Sequence, residues 1–188
     1  AAAARAPKSF GLRREHLALG LQQVHWPGRF EVVGREPAVV LDGAHNVDSM
    51  AKLLLALRRH LRFERLLMVF GASRDKDVRG MLALLPSVVT KLYLCRSRHE
   101  RALAPEELSQ LAGALAVPHA AFGSVEEALW AAVAEAKAAD CVCVCGSLFV
   151  VAAAREALAM RFGWIEREGD DLEVLAVMRN ERRQSVAG

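Results

Sequence analysis

Five short runs of nearly uninterrupted apolar residues, at 38–41, 66–70, 92–95, 117–121 and 141–145, constrain this chain more than any other feature. A strand with water on one face alternates apolar and polar side chains. A run that stays apolar predicts a strand covered on both faces, which is the condition of a parallel sheet flanked by helices. The stretches between the runs supply those helices. Met50, Leu53, Leu54, Leu57 and Leu61 recur at helical spacing, with Asp48 and Ser49 near the start and Arg58, Arg59 and His60 near the end. That order suits both the caps and the helix dipole. Further helices are predicted over 75–85, 105–115 with Pro105 in the first turn, 124–138 and 147–160. Strand followed by helix, repeated, predicts an α/β fold with an open, mostly parallel, Rossmann-like sheet. Residues 30–33 and 38–41 flank the turn-rich Gly34-Arg35-Glu36-Pro37 and predict an N-terminal β-hairpin leading into the sheet.

A length of 188 residues suits one compact domain, and 53% apolar with 25% charged residues excludes general disorder. Residues 30–162 are expected to form that domain. Residues 1–29 read as a helix around Leu17, Leu19 and Leu21, left over from a preceding domain, followed by a linker. Residues 163–188 read as an extension with an edge strand over 172–178 and a loose tail. The 25 basic residues are scattered among 22 acidic ones, so neither a nucleic-acid footprint nor a polybasic anchor is present. No apolar stretch approaches the ~20 residues that span a bilayer. The four alanines that open the chain, followed by Arg5, lack the order of a secretory signal and read as a fragment edge. A cytoplasmic protein with no membrane or nucleic-acid partner is expected.

Cys141, Cys143 and Cys145 alternate in one apolar run and share one strand face, with Cys95 apart from them. Metal sites favour turn-borne ligands with wider spacing, so all four read as small buried thiols and no metal site is assigned.

Ligands of open α/β sheets gather where strands end at their carboxyl termini, and three such loops stand out. Asp42-Gly43-Ala44-His45-Asn46 offers a carboxylate, an imidazole and an amide at the start of a helix. The same residues also suit a capped turn with Asn46 as N-cap. Gly71-Ala72-Ser73-Arg74-Asp75-Lys76-Asp77 follows the second run; its acids either favour a helix N-terminus or face a ligand. In Cys145-Gly146-Ser147-Leu148, Ser147 either caps the next helix or binds substrate. No G-x-x-x-x-G-K-[ST] phosphate loop, G-x-S-x-G elbow or H-E-x-x-H motif occurs.

Four stretches in this order resemble the C-terminal domain of the Mur ligase superfamily, and within it the folylpolyglutamate synthase and dihydrofolate synthase branch. They are Trp26-Pro27-Gly28-Arg29, Leu41-Asp42-Gly43-Ala44-His45-Asn46, residues 69–77 and Cys145-Gly146-Ser147-Leu148. The resemblance spans about residues 14–160. It departs from the family at Val47, where Pro is usual, and in lacking a phosphate loop.

The resemblance implies an ATP-dependent ligase in which a folate or dihydropteroate carboxylate is phosphorylated and the resulting acyl phosphate is attacked by the amine of glutamate. It implies ATP and Mg2+, with most metal ligands and the phosphate loop on an N-terminal ATPase lobe, and a monomer. Arg29 and Asp42 are then expected to hold the ribose and flank the adenine. His45 is expected to reach the phosphates as the catalytic residue, and Asn46 to be a further nucleotide contact. Ser73, Asp75, Lys76 and Ser147 are expected to face the cleft that admits glutamate or the acceptor carboxylate. A Mur-type cell-wall precursor ligase and a non-catalytic nucleotide-binding or interaction module remain alternatives.

Overall fold

The structure is a computed structural model that describes residues 26–162 together with Arg13, Glu15, His16, Leu19 and Gly20. Six strands run β1 (Glu31–Arg35), β2 (Ala38–Leu41), β3 (Leu66–Phe70), β4 (Lys91–Cys95), β5 (His119–Phe122) and β6 (Cys141–Cys145). Five helices are α1 (Val47–His60), α2 (Val78–Ala83), α3 (Pro105–Ala112), α4 (Val125–Glu135) and α5 (Leu148–Phe162). The strands form one sheet in the order β1-β2-β6-β3-β4-β5. Only β1 is antiparallel, paired with β2 as the expected hairpin.

The apolar runs are buried on both faces, as their composition requires. β3 and β6 have no exposed residue. Along β6 the side chains alternate strictly: Cys141, Cys143 and Cys145 join the core under α1, α2 and α3, while Val142 and Val144 join the core under α4 and α5. All four cysteines are buried free thiols. Burial pushes Cys95 up to about 12 and raises Cys141 further, and Cys143 is raised by its hydrogen bond with Cys145 and by burial. Cys95, Cys141 and Cys143 therefore stay protonated, and all four cysteines serve as small apolar fillers.

Local chemistry sets most helix starts. Asn46 and Ser49 form a capping box at α1, Ser124 accepts from Glu127 N at α4, and Pro105 opens α3. The helices expected over 75–85, 105–115 and 124–138 end two or three residues early, at Ala83, Ala112 and Glu135, and three other departures from the sequence expectation have a local cause. The predicted helix over 75–85 begins only at Val78, because residues on either side of Ser73 pair with the loop after β4: Arg74 N donates to Arg101 O and Leu103 N to Ala72 O, each at 2.9 Å. The strand expected over 117–121 starts at His119, because Pro118 has no N–H for the ladder and only its carbonyl pairs, with Leu92 N. The hairpin starts at Glu31 instead of residue 30, since Phe30 sits at φ +48°, and Gly34 and Arg35 belong to β1 instead of the turn. Of the helix expected around Leu17, Leu19 and Leu21, only Leu19 is described, helical and exposed; the edge strand expected over 172–178 lies outside the described residues. No described helix is long and apolar enough to cross a membrane.

Insertion of β6 between β2 and β3 demands close backbone approach at its end. Gly146 adopts φ +99°, its N–H donates to Ala44 O at 2.8 Å, and a Cβ there would lie 2.5 Å from Gly71 O. Backbone cannot yield as a flexible side chain does. Gly146→Ala is expected to destabilise the fold by about 3 kcal/mol in chemical denaturation, the sum of left-handed strain and a backbone clash. A change within about 0.5 kcal/mol would remove this constraint from the account.

At the opposite rim, where the strands begin, charges are paired. Arg65 donates to buried Asp140 through Nη2 at 2.6 Å and Nε at 3.2 Å, Lys137 N–H donates to the same carboxylate, and Lys91 meets Glu135 at 2.6 Å. The hydrogen bond from Arg65 holds the Asp140 carboxyl below its ordinary value. A lowered folded pKa stabilises the fold above the unfolded value, near ~4, and that contribution disappears as pH falls through the folded value. Asp140→Asn is therefore expected to cost about 1–3 kcal/mol at neutral pH and to flatten the loss of stability below about pH 4. Urea denaturation across pH checks this, and an acid limb identical to wild type contradicts it.

Candidate functional site

The helices after β2, β3 and β4 cover one sheet face, whereas α5, after β6, covers the other. Loops leaving neighbouring strands toward opposite faces open a crevice between them, and β6 places that crevice at the carboxyl end of β2, β6 and β3. A cleft of about 220 Å³ lies there, lined by His45, Ser73, Asp75, Lys76, Arg101, Gly146, Ser147, Leu148 and Phe149. Five residues singled out from three separate stretches of sequence thus share one cavity.

Each is held by its backbone surroundings. His45 is half-buried and its Nδ1 donates to Gly43 O at 2.8 Å, which leaves Nε2 as the ring atom available to a ligand. Ser147 is buried and its Oγ accepts from Phe149 N at 3.2 Å, so it caps α5 while its own hydroxyl proton remains to be donated. Ser73 is buried on the bridge to Ala102. Lys76 donates to Asp75 at 2.9 Å and Arg101 stands 3.8 Å from the same carboxylate. The Lys76 hydrogen bond holds the Asp75 carboxyl below its ordinary value, so it is an anion between two cations. The cleft wall is completed by Phe149, stacked on His99 at 4.0 Å between ring centroids.

Arg29, Asp42 and Asn46 do not line this cleft; they belong to a shelf in which the 26–30 segment docks on the loop after β2. Asp42 accepts from Phe30 N through Oδ2 and from Ala44 N through Oδ1, both at 2.8 Å, and so ties the 26–30 segment to the loop after β2. Gly43 N donates to Gly28 O at 2.8 Å across the same seam. Gly43 also packs on Leu148, where a Cβ would come within 2.4 Å of Cδ2. Arg29 is exposed, its guanidinium 5.9 Å from the Trp26 ring. Asn46 Oδ1 accepts from Ser49 N at 2.8 Å as the N-cap of α1. The capping roles weighed for Asn46 and Ser147 are therefore both present in the fold.

Arg101 and Phe149 were not singled out from sequence. Attention to glycine-bearing loops after strands passes over residues 96–104, which contain no glycine. The general rule that ligands sit at strand carboxyl ends applies to the β4 loop equally and is the signal that points to Arg101.

A sequence model of the family described as Mur ligase, glutamate ligase domain, matches residues 28–148. A probable bifunctional folylpolyglutamate synthase/dihydropteroate synthase of Halobacterium salinarum is 40% identical over 177 residues, which is 92% of this chain and 21% of the relative. E. coli FolC in complex with DHPP and ADP superposes with a TM-score of 0.74 at 35% identity, over 82% of this chain and 37% of that one. A bifunctional folylpolyglutamate synthase/dihydrofolate synthase with Mn, AMPPNP and L-glutamate bound gives 0.70 at 33% identity, over 78% and 35%. This chain thus spans about a fifth of that curated relative and just over a third of each solved structure. With the matched segment running from the docked turn at Gly28 to the start of α5, the chain belongs to the Mur ligase family, as its glutamate ligase domain.

Proposed function

We propose that this chain is the C-terminal lobe of an ATP-dependent ligase that joins glutamate to a folate or dihydropteroate carboxylate, working with an N-terminal phosphate-loop lobe as a monomer in the cytoplasm. The observation that carries this reading is the convergence of His45, Ser73, Asp75, Lys76, Arg101 and Ser147 on one cleft at the carboxyl rim. The family resemblance supports a reading in which most magnesium ligands and the phosphate loop belong to the partner lobe, and bound ATP–Mg2+ would supply the phosphoryl group that activates the acceptor carboxylate.

In this reading the chain's own residues position and neutralise. Arg29 and Asp42, with Asn46 beside them, hold the adenosine on the shelf. His45, anchored through Nδ1, turns Nε2 to the phosphates at the head of α1, where the dipole favours negative charge. Lys76 and Arg101 take the carboxylates of glutamate, Asp75 takes its ammonium group before deprotonation, and Ser73 and Ser147 donate hydroxyl hydrogen bonds. The amine attacks the activated carbonyl, phosphate leaves, and the C–N bond replaces the C–O bond, with the amine proton lost to solvent. Little covalent work falls to side chains, so orientation and charge carry the rate.

Two substitutions in the two-lobe ligase test these roles. His45→Ala is expected to lower kcat about 100-fold while costing only about 1 kcal/mol of stability, since it removes one partly exposed hydrogen bond. Parallel loss of turnover and stability would refute a catalytic role. Arg101→Ala is expected to raise KM for glutamate about ten- to a hundredfold and to leave KM for ATP unchanged. Steady-state kinetics with each substrate varied decides this, and a shift in the ATP constant alone moves Arg101 out of the amino-acid subsite.

A further inference from the structure

Helix α5 reaches both halves of the site. Ser147, Val151 and Arg155 are spaced four residues apart and so lie on one helical face. Ser147 lines the cleft. Val151 packs on Gly28, where an added Cβ would lie 2.9 Å from Cγ1. Arg155 Nη1 donates to Glu31 Oε1, and the other oxygen of that carboxylate, Oε2, accepts from Gly28 N at 2.7 Å. Glu31 is buried, with 6% of its surface exposed.

A buried carboxylate persists only with charge and hydrogen-bond partners, and Glu31 has one on each oxygen. Its position at the first residue of β1 makes it the N-side anchor of the 28–30 turn. Asp42 anchors the other side through Phe30 N. Arg29 stands between two clamped residues, with its own N–H donating to Trp26 O at 3.1 Å, Gly28 at φ +70° and Phe30 at φ +48°. Glycine adopts its positive φ at no steric cost, but for Phe30 the left-handed conformation is sparsely populated in a free chain and holds only when surrounding contacts impose it. Neither clamp touches the Arg29 side chain, yet together they set the direction in which it leaves the backbone.

We propose that Arg155 is a positioning residue for Arg29: acting through Glu31, it fixes the 28–30 turn in the conformation that presents the Arg29 guanidinium to the nucleotide. This rests on the nucleotide-shelf reading given above. It also makes α5 a rigid connection between the amino-acid cleft at Ser147 and the nucleotide shelf.

The test is ADP binding by isothermal titration to the 188-residue chain, well below the lowest melting temperature of the variants, with melting followed in parallel. Arg29→Ala is expected to weaken ADP about tenfold or more, and Arg155→Met about tenfold. Glu31→Gln, which keeps one acceptor oxygen where two are needed, is expected to fall between Arg155→Met and wild type, and remains informative if Arg155→Met fails to fold. If Arg155 acts through Arg29, the double variant Arg29→Ala/Arg155→Met binds no more weakly than Arg29→Ala, within about twofold. Asp140→Asn, at the far rim, is expected to melt earlier and bind ADP as wild type does.

Unchanged ADP affinity in Arg155→Met or Glu31→Gln, with only the melting temperature lowered, overturns the proposal in favour of a purely structural pair. Losses that multiply in the double variant, or an equal loss of affinity in Asp140→Asn, overturn it too. A wild-type chain that does not bind ADP up to millimolar concentration, or an Arg29→Ala variant that binds normally, removes the nucleotide-shelf reading and this inference with it.

Discussion

The carboxyl rim owes its shape to β6 lying between β2 and β3. Because the chain leaves β6 toward α5 while it leaves both neighbours toward the opposite face, a crevice must open at that point. The same insertion brings three backbones together: Gly146 N meets Ala44 O, Gly71 N meets Cys145 O, and no Cβ fits between Gly146 and Gly71. The glycines at these strand ends are therefore consequences of strand order. The polar side chains that follow each glycine are carried to the crevice by the turn it permits.

Carboxylates at the shelf do double work. Asp42 and Glu31 each spend one oxygen on a backbone N–H of the 28–30 turn and the other on Ala44 N and Arg155 respectively, so the segment that precedes β1 is fastened to the sheet from two sides. A role for Asp42 toward a ribose hydroxyl then has to use lone pairs left over from Phe30 N and Ala44 N, which each oxygen retains. Loss of Asp42 would consequently move Arg29 as well as remove an acceptor. Substitution at this position alone does not separate the two effects, whereas changes at Arg155 leave the Asp42 acceptor in place.

The layered fold was legible in the sequence because burial on both faces leaves an unmistakable run of apolar residues, as in β3 and β6, and because Asn46, Ser124 and Pro105 write helix starts into local chemistry. Five of the cleft residues, His45, Ser73, Asp75, Lys76 and Ser147, were legible for a related reason, since each follows a glycine-bearing strand end. What the sequence concealed was pairing between distant segments. The bridge of residues 72–74 with 101–103 shortened α2 and delivered Arg101, and nothing within either segment announces the other. The Arg155–Glu31 pair joins positions 124 apart and was equally silent. β5 begins after its apolar run does, at His119, because Pro118 cannot donate to a ladder.

The two rims of the sheet differ in how they use polar atoms. Where the strands begin, Asp140 receives Arg65 and Lys137, and Lys91 meets Glu135, so charge there is matched by charge. Where the strands end, a side chain is fixed by one atom and offers another. His45 is held at Nδ1 and presents Nε2, Asn46 is held at Oδ1 and retains its amide, and Ser147 accepts from Phe149 N and keeps its hydroxyl proton. Anchoring of this kind removes rotamer freedom before any ligand arrives, so less ordering entropy would oppose binding. The capping readings of Asn46 and Ser147 and their functional readings are therefore compatible: the cap is what aims the remaining donor.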